Sequence, residues 1–265
     1  MKVNGKVIVV TGGGNGMGRQ ITLQLLEKGA HVAAVDVNMK GLEETRDLAG
    51  NDRNLTLHQV DITDKEQVQN LVAKVIRAHG VVDGIINNAG IIQPFINVSD
   101  VSDEIIDRIM NVNFYGTLYM VRAFLPELLK RPEAHVLNVS SMGGFFPVPG
   151  QSIYGASKAA VKLMTEGMAA ELKDTNVSVS VVIPGGIATD IKKNSNIVSD
   201  TSKDEKTKEN SKIILTPEKA ASLIIETMEK NLTIAYIGKD SKLMNGLYKL
   251  SPKFAGYLIG KVLQH

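Results

Sequence analysis

Short β-branched runs alternate along the chain with segments whose apolar residues recur every three or four positions. The runs cover 6–10, 31–35, 55–60, 84–87, 135–139, 177–183 and 233–237, and each reads as a nearly continuous apolar strand of a sheet covered on both faces. Between the third and fourth runs, Val68, Leu71, Val72, Val75 and Ile76 mark one buried face of a helix. Thr63 and Glu66 are spaced as a capping box just ahead of it. This alternation predicts parallel strands joined by helices, a doubly wound α/β sheet in a single domain over 1–265.

Two stretches break the rhythm. Residues 192–212 are rich in Asn, Ser, Asp, Lys and Thr, and read as a mobile substrate loop or, equally, as a surface excursion. After it Thr216, Pro217 and Glu218 open a helix to about Lys230, with Thr216 as N-cap and Pro217 at the first helical position. The last segment, within 241–265, sets Leu, Met, Tyr, Phe and Ile between lysines and is interrupted by Ser251-Pro252. It predicts a helical segment packed on the core or on a partner subunit. A lid and a membrane-surface contact are the alternatives, since Lys-flanked apolar faces can lie at an interface, but a membrane partner is not the expectation.

Composition narrows the classes. The 265 residues are 43% apolar and 22% charged with a net charge of +2, values of an ordinary globular protein rather than a disordered or fibrous one. Acidic and basic residues are interspersed, so no basic face tracks phosphates and nucleic acid is not an expected partner. The absence of cysteine excludes disulfides, thiolate nucleophiles and cysteine-based metal sites. His31, His58, His79, His135 and His265 include no i, i+4 pair, so no metal is expected. The apolar run at 7–10 is too short to span a membrane and no signal-peptide cleavage region accompanies it, which predicts a cytoplasmic enzyme.

The first strand runs into Thr11-Gly12-Gly13-Gly14-Asn15-Gly16-Met17-Gly18, followed by an apolar helical stripe from Ile21 to Leu26. Strand, glycine turn and helix form a phosphate cradle: the glycines admit a pyrophosphate to the backbone, and the helix presents free N–H groups and its positive end. The spacing of Gly12, Gly16 and Gly18 is G-x-x-x-G-x-G rather than G-x-G-x-x-G. A glycine turn can also be purely structural. Asp36 closes the second strand, where a carboxylate accepts from the 2′-hydroxyl of an adenosine ribose and repels a 2′-phosphate, which argues for NAD over NADP. Asp61-Ile62 follows the third strand, where the carboxylate meets an adenine amino group or helps to start the next helix.

These residues resemble the short-chain dehydrogenase/reductase family over 6–190. The likeness rests on the glycine turn, Asn87-Asn88-Ala89-Gly90, Asn113 in Asn-Val-Asn-Phe, Ser140-Ser141, Tyr154-Gly-Ala-Ser-Lys158, and Pro184-Gly185 through Ile187 to Thr189. The resemblance implies a Rossmann-like sheet of about seven strands and nicotinamide chemistry. It also implies a catalytic tetrad of Asn113, Ser141, Tyr154 and Lys158, in which Asn113 holds a helix open to a water that connects Lys158 to solvent. The matching cofactor contacts are Gly12, Asn15, Gly16, Met17, Gly18, Asp36, Asp61, Ile62, Asn88, Ala89, Gly90, Tyr154, Lys158, Pro184, Gly185, Ile187 and Thr189, the last two beside the nicotinamide carboxamide.

The roles have a physical basis. Tyr154 and Lys158 are four apart and share a helix face. A phenol near pKa 10 is a poor base at neutral pH, and an adjacent ammonium is expected to stabilise the phenolate. Tyr154 then takes a hydroxyl proton as hydride leaves carbon, or protonates the alkoxide in reduction, with Ser141 on the same oxygen. Gly143 through Pro149, with Ile91, Ile92, Phe95 and Ile96, predicts an apolar wall suited to a hydrophobic alcohol or ketone. No Asp-Gly-Gly follows Tyr236-Ile-Gly238, a departure from the fatty-acid ketoacyl reductase pattern. The family's habit implies a homodimer or homotetramer through the helices near 113–129 and 152–172. The rival readings are a dinucleotide sensor or scaffold without turnover, and a peripheral membrane enzyme acting on lipid carbonyls.

Overall fold

A computed structural model describes residues 1–188 and 214–255. Thr189, the polar segment 192–212 and residues 256–265 lie outside the described residues. Seven parallel strands form one sheet in the order β3-β2-β1-β4-β5-β6-β7. They are β1 (Val7–Thr11), β2 (His31–Asp36), β3 (Leu55–Gln59), β4 (Gly84–Asn87), β5 (Ala134–Val139), β6 (Val177–Pro184) and β7 (Ile234–Ile237). The apolar runs thus locate every strand to within a residue at each end. The described helices are α1 (Gly16–Glu27), α2 (Met39–Leu48), α3 (Lys65–His79), α4 (Asp103–Met110), α5 (Thr117–Leu128), α6 (Ser152–Glu171), α7 (Pro217–Glu229) and α8 (Lys239–Leu250).

Successive strand residues point to opposite faces, and this sorts the core into two layers. Ile8, Val10, Val32, Ala34 and Val182 pack with Ile21 and Leu25 of α1 and Ile224 and Met228 of α7. Val7, Val9, Ala33, Val35 and Val179 pack instead with Leu71 and Val75 of α3 and Phe124 and Leu128 of α5. Burial on both faces explains why the central runs β1, β4 and β5 are nearly continuous, whereas the edge strands β3 and β7 are only partly covered.

The N-cap of α3 lies one residue later than expected, and no reciprocal box forms, since Gln67 Oε1 accepts from Asp61 N–H. Asp64, not Thr63, is the N-cap: its Oδ1 accepts from the N–H groups of Glu66 (2.9 Å) and Gln67 (3.1 Å). Thr63 instead donates its hydroxyl to Asp61 Oδ1 at 2.8 Å. A carboxylate at the positive end of a helix out-competes the neighbouring hydroxyl for the same donors. At α7, Thr216 caps as predicted, accepting from Lys219 N–H at 3.3 Å.

Strand order reverses between β1 and β4, so the connections leaving their C-terminal ends run to opposite sides and open a crevice there. Thr11, 1% exposed, holds its floor. Its Oγ1 accepts from the N–H groups of Asn88 (3.0 Å) and Ala89 (3.1 Å), and its carbonyl accepts from Asn88 Nδ2 (3.0 Å).

Candidate active site

The crevice is a cavity of about 890 Å³. Gly12, Asn15, Gly16, Met17, Gly18, Asp36, Asp61, Ile62, Asn88, Ala89, Gly90, Ser141, Tyr154, Lys158, Pro184, Gly185 and Ile187 all line it. Asn113 stands behind the wall, fully buried.

At one end the lining is backbone. Gly12 has φ +72°, and a Cβ there would lie 2.8 Å from Asn88 Nδ2. At Gly18 a Cβ would lie 2.0 Å from the Gly12 carbonyl oxygen, so the turn closes against α1 only with glycine at that position. The first turn of α1 carries no acidic side chain to compete with an anion. Asp36 is fixed at the rim by two backbone donors, Gly14 N–H on Oδ2 (3.0 Å) and Asn38 N–H on Oδ1 (2.9 Å). Arg19 braces the turn by donating to the carbonyls of Gly14 and Gly41, to Thr45 Oγ1 and to Glu44. Asp61 lines the cavity and also shapes the turn before α3, accepting from Thr63 N–H at 2.9 Å.

At the other end the lining is side chain. Tyr154 and Lys158 lie one turn apart near the start of α6, and Ser141, just past β5, hydrogen-bonds the Tyr154 hydroxyl. Ser140 faces elsewhere, donating to the Lys158 carbonyl at 2.7 Å. Lys158 Nζ donates to the Val139 carbonyl at 3.1 Å. A Cβ on Gly90 would meet Lys158 Nζ at 3.0 Å and Asn113 Oδ1 at 3.2 Å, so ammonium and amide converge over the Gly90 backbone.

Asn113 sits in a widened turn, Asn111–Gly116, between α4 and α5. Such i→i+5 turns occur often at functional sites. Its amide brackets Ile91, with Oδ1 accepting from Ile91 N–H and Nδ2 donating to the Ile91 carbonyl, both at 2.9 Å. Nδ2 also donates to Ser157 Oγ at 3.0 Å.

Burial pushes the Tyr154 phenol above its ordinary value of 10.0, against the opposing pull of the Ser141 hydrogen bond. Burial also pushes the Lys158 ammonium down to about 8. The expectation that Lys158 depresses Tyr154 is therefore not what this structure shows. Desolvation dominates both groups, and the lysine's described partner is the Val139 carbonyl.

The apolar wall is also smaller than anticipated. Ile91 and Ile92 line the cavity, joined by Val112 and Ile187. Phe146 is fully buried, Phe145 packs edge-on against Tyr236 and Tyr248, and Phe95 is 56% exposed.

Sequence reading missed Gln93. This fully buried side chain donates to the Gly150 carbonyl (3.0 Å) and accepts from the backbone N–H of Tyr154 (2.9 Å). Gln151 returns a bond to the Gln93 carbonyl at 2.8 Å. Gln93 thus caps α6 from a distant segment, a helix whose own N-cap residue makes no side-chain cap. Asp240 was missed as well; its Oδ2 accepts from Gly186 N–H at 2.6 Å and anchors α8 on the turn that follows β6.

A family model described as short chain dehydrogenase matches residues 6–199. The chain belongs to the short-chain dehydrogenase/reductase family. It is 33% identical over 253 residues to an oxidoreductase called SadH from Mycobacterium tuberculosis, covering 93% of this chain and 91% of that one. A short-chain dehydrogenase/reductase from Burkholderia phymatum, solved in complex with NAD, is 25% identical with a TM-score of 0.81 over 89% of this chain and 90% of its own. A short-chain dehydrogenase from Burkholderia cenocepacia, solved in complex with NADP, is 27% identical with a TM-score of 0.82 over 98% and 99%. The chain is accordingly an oxidoreductase acting on alcohol or carbonyl groups, of a family that binds NAD(P) and whose members are commonly oligomeric.

Proposed function

We propose that the protein is an NAD(H)-dependent oxidoreductase acting on a hydrophobic secondary alcohol or its ketone, with Tyr154 as the acid/base. The observation that carries this reading is the meeting of Ser141, Tyr154 and Lys158 at one end of a cavity whose other end is a glycine turn with Asp36 at its rim. The glycine turn fits a pyrophosphate, since Gly12, Gly14, Gly16 and Gly18 line the cavity without side chains and the first turn of α1 carries no acidic residue. Asp36, held by two backbone donors, offers a carboxylate to a ribose hydroxyl. Its lining neighbours Val37, Asn38 and Asn15 bring no cation for a 2′-phosphate, and Arg19 is engaged on the turn.

A bound nicotinamide dinucleotide supplies or accepts the hydride. The chain's own residues handle the oxygen. In reduction the Tyr154 phenol donates its proton to the oxygen as it becomes an alkoxide, and Ser141 Oγ hydrogen-bonds that same oxygen. Lys158 is held one turn from Tyr154 by the Val139 carbonyl, and Asn113, by bracketing Ile91, holds the Gly90 loop against Lys158. A phenol kept protonated by burial suits reduction near neutral pH, whereas the reverse direction needs phenolate and gains with rising pH. Ile91, Ile92, Val112 and Ile187 provide the apolar wall for the substrate. The test of cofactor choice is kcat/KM with NADH against NADPH on the same ketone: NADH is favoured by at least about tenfold, or roughly 1.4 kcal/mol. A preference for NADPH overturns the assignment of Asp36.

A further inference from the structure

The outer face of α8 repeats a lysine beside a large apolar residue. Lys242-Leu243 and Lys249-Leu250 are seven residues apart, two helical turns, and so share one stripe. Lys253-Phe254 follows in the short helical turn after Pro252. Leu243, Leu250 and Phe254 are 63%, 86% and 52% exposed. The opposite side of the segment is anchored: Ser241 donates to the Ile183 carbonyl at 2.8 Å, Tyr248 packs edge-on against Phe145 and Phe146, and Ala255 is buried. The helix is therefore fixed to the body along one side while its other side offers apolar groups to solvent.

Charge says what this face suits. Residues 241–265 contain four lysines and no acidic residue, leaving 26 of the 30 basic residues against all 28 acidic ones in the rest of the chain. Two copies of the stripe laid face to face would oppose lysine to lysine, and Glu226, which feels the charge of Lys242, is already paired with Lys230 and near Lys219. An anionic lipid surface supplies the missing charge and an apolar layer at the depth that short side chains reach.

We propose that the Lys242, Leu243, Lys249, Leu250, Lys253 and Phe254 face docks on an anionic membrane surface, with the leucines and phenylalanine entering the headgroup region and the lysines against lipid phosphates. The sequence alone favours packing on the core or a partner subunit over a lid or a membrane contact; the exposed outer face of α8 reverses that order. No helix among the described residues is long and apolar enough to cross a membrane, so the contact is peripheral. Asp240, at the start of α8, is bonded to Gly186, next to cavity residues Gly185 and Ile187, which sets the docked face one helix away from the cavity. Delivery of an apolar carbonyl substrate from the bilayer rests on the function proposed above; the docking itself does not.

The test is co-sedimentation of the full chain with vesicles of phosphatidylcholine alone and of phosphatidylcholine with phosphatidylglycerol, at low and high salt. The chain pellets with the anionic vesicles, less so as salt rises. Each lysine near an anionic surface strengthens binding about fivefold, so K242Q/K249Q/K253Q weakens partitioning on the order of a hundredfold. L243S/L250S/F254S weakens it at least about tenfold. Both variants keep the melting transition and NADH binding of the parent. Failure to pellet with anionic vesicles, or pelleting that neither triple variant reduces, overturns the proposal. So does a vesicle-free oligomer that the leucine and phenylalanine variant converts to monomer, which assigns the face to a second copy; in every case NADH binding reports separately on the proposed enzyme.

Discussion

Between Thr11 and Asp36 the cavity is made of backbone, whereas between Ser141 and Lys158 it is made of side chains held by other side chains. At the first end, the close approach of Gly18 to the Gly12 carbonyl and the N–H groups of Gly14 and Asn38 do the shaping. At the second, Tyr154 is positioned through Gln93 and Ser141, and the Lys158 region through Asn113, Ile91 and Ser157. Substitutions at the two ends therefore fail differently. Added volume is the threat at the glycine end, and loss of a single polar atom is the threat at the other.

The largest effect falls on chemistry. Tyr154→Phe removes one oxygen, and kcat drops by about 10²–10⁴-fold, the usual contribution of a positioned acid/base, while the NADH dissociation constant hardly moves. A kcat within tenfold of the parent would erase the contrast between the ends. Gly18→Ala is the converse. Its Cβ has 2.0 Å to the Gly12 oxygen, so the turn must open. NADH affinity falls at least about tenfold, and stability falls by about 1–3 kcal/mol in a chemical melt. Unchanged NADH affinity in a folded variant would show that the turn is not the cradle.

Gln93→Ala gives a smaller effect. It leaves the Tyr154 N–H and the Gly150 carbonyl without this partner. Loss of the cap costs about 1 kcal/mol of stability, and kcat falls about tenfold with NADH affinity retained. Gln93→Glu keeps the acceptor for Tyr154 N–H and restores part of kcat; equal loss in both variants argues against the cap as the positioning element.

The last effect concerns neither end but the response of the fold to pH. Burial lowers His58 from 6.5 to about 4 and His135 from 6.5 to about 3. Each is held neutral in the fold, so the unfolded chain binds more protons below pH 6.5. The stability these groups contribute is present above that pH and is lost as pH falls toward 4, by up to about 1.4 kcal/mol per pH unit for each histidine. Chemical melts from pH 7 to 4.5 show this decline, and His58→Gln shallows it. An unchanged slope in the variant assigns the decline to other groups.

The strands were legible because burial makes the central ones compact apolar runs, whereas their order and register rest on contacts that no local pattern announces. The glycine turn was legible for a related reason: close backbone approach requires glycine in an unbroken stretch of eight residues from Thr11 to Gly18. Gln93 was not, because its bond to Tyr154 crosses 61 positions and neither residue carries a local pattern that announces the other. The cap slipped by one because Thr63 and Asp64 are both good caps; the Asp64 carboxylate takes the α3 donors while Thr63 bonds Asp61. The raised Tyr154 phenol was hidden for the same reason, since spacing along a helix reports neighbours but not desolvation.

The most direct test of the enzyme as a whole is absorbance at 340 nm across a panel of alcohols and ketones, with NADH and NADPH for reduction and their oxidised forms for the reverse. The expected result is loss of NADH absorbance with at least one apolar ketone, slower loss with NADPH, and loss at least about a hundredfold slower with Tyr154→Phe. A flat trace across the panel despite tight NADH binding would contradict it and make the protein a dinucleotide-binding relative without turnover.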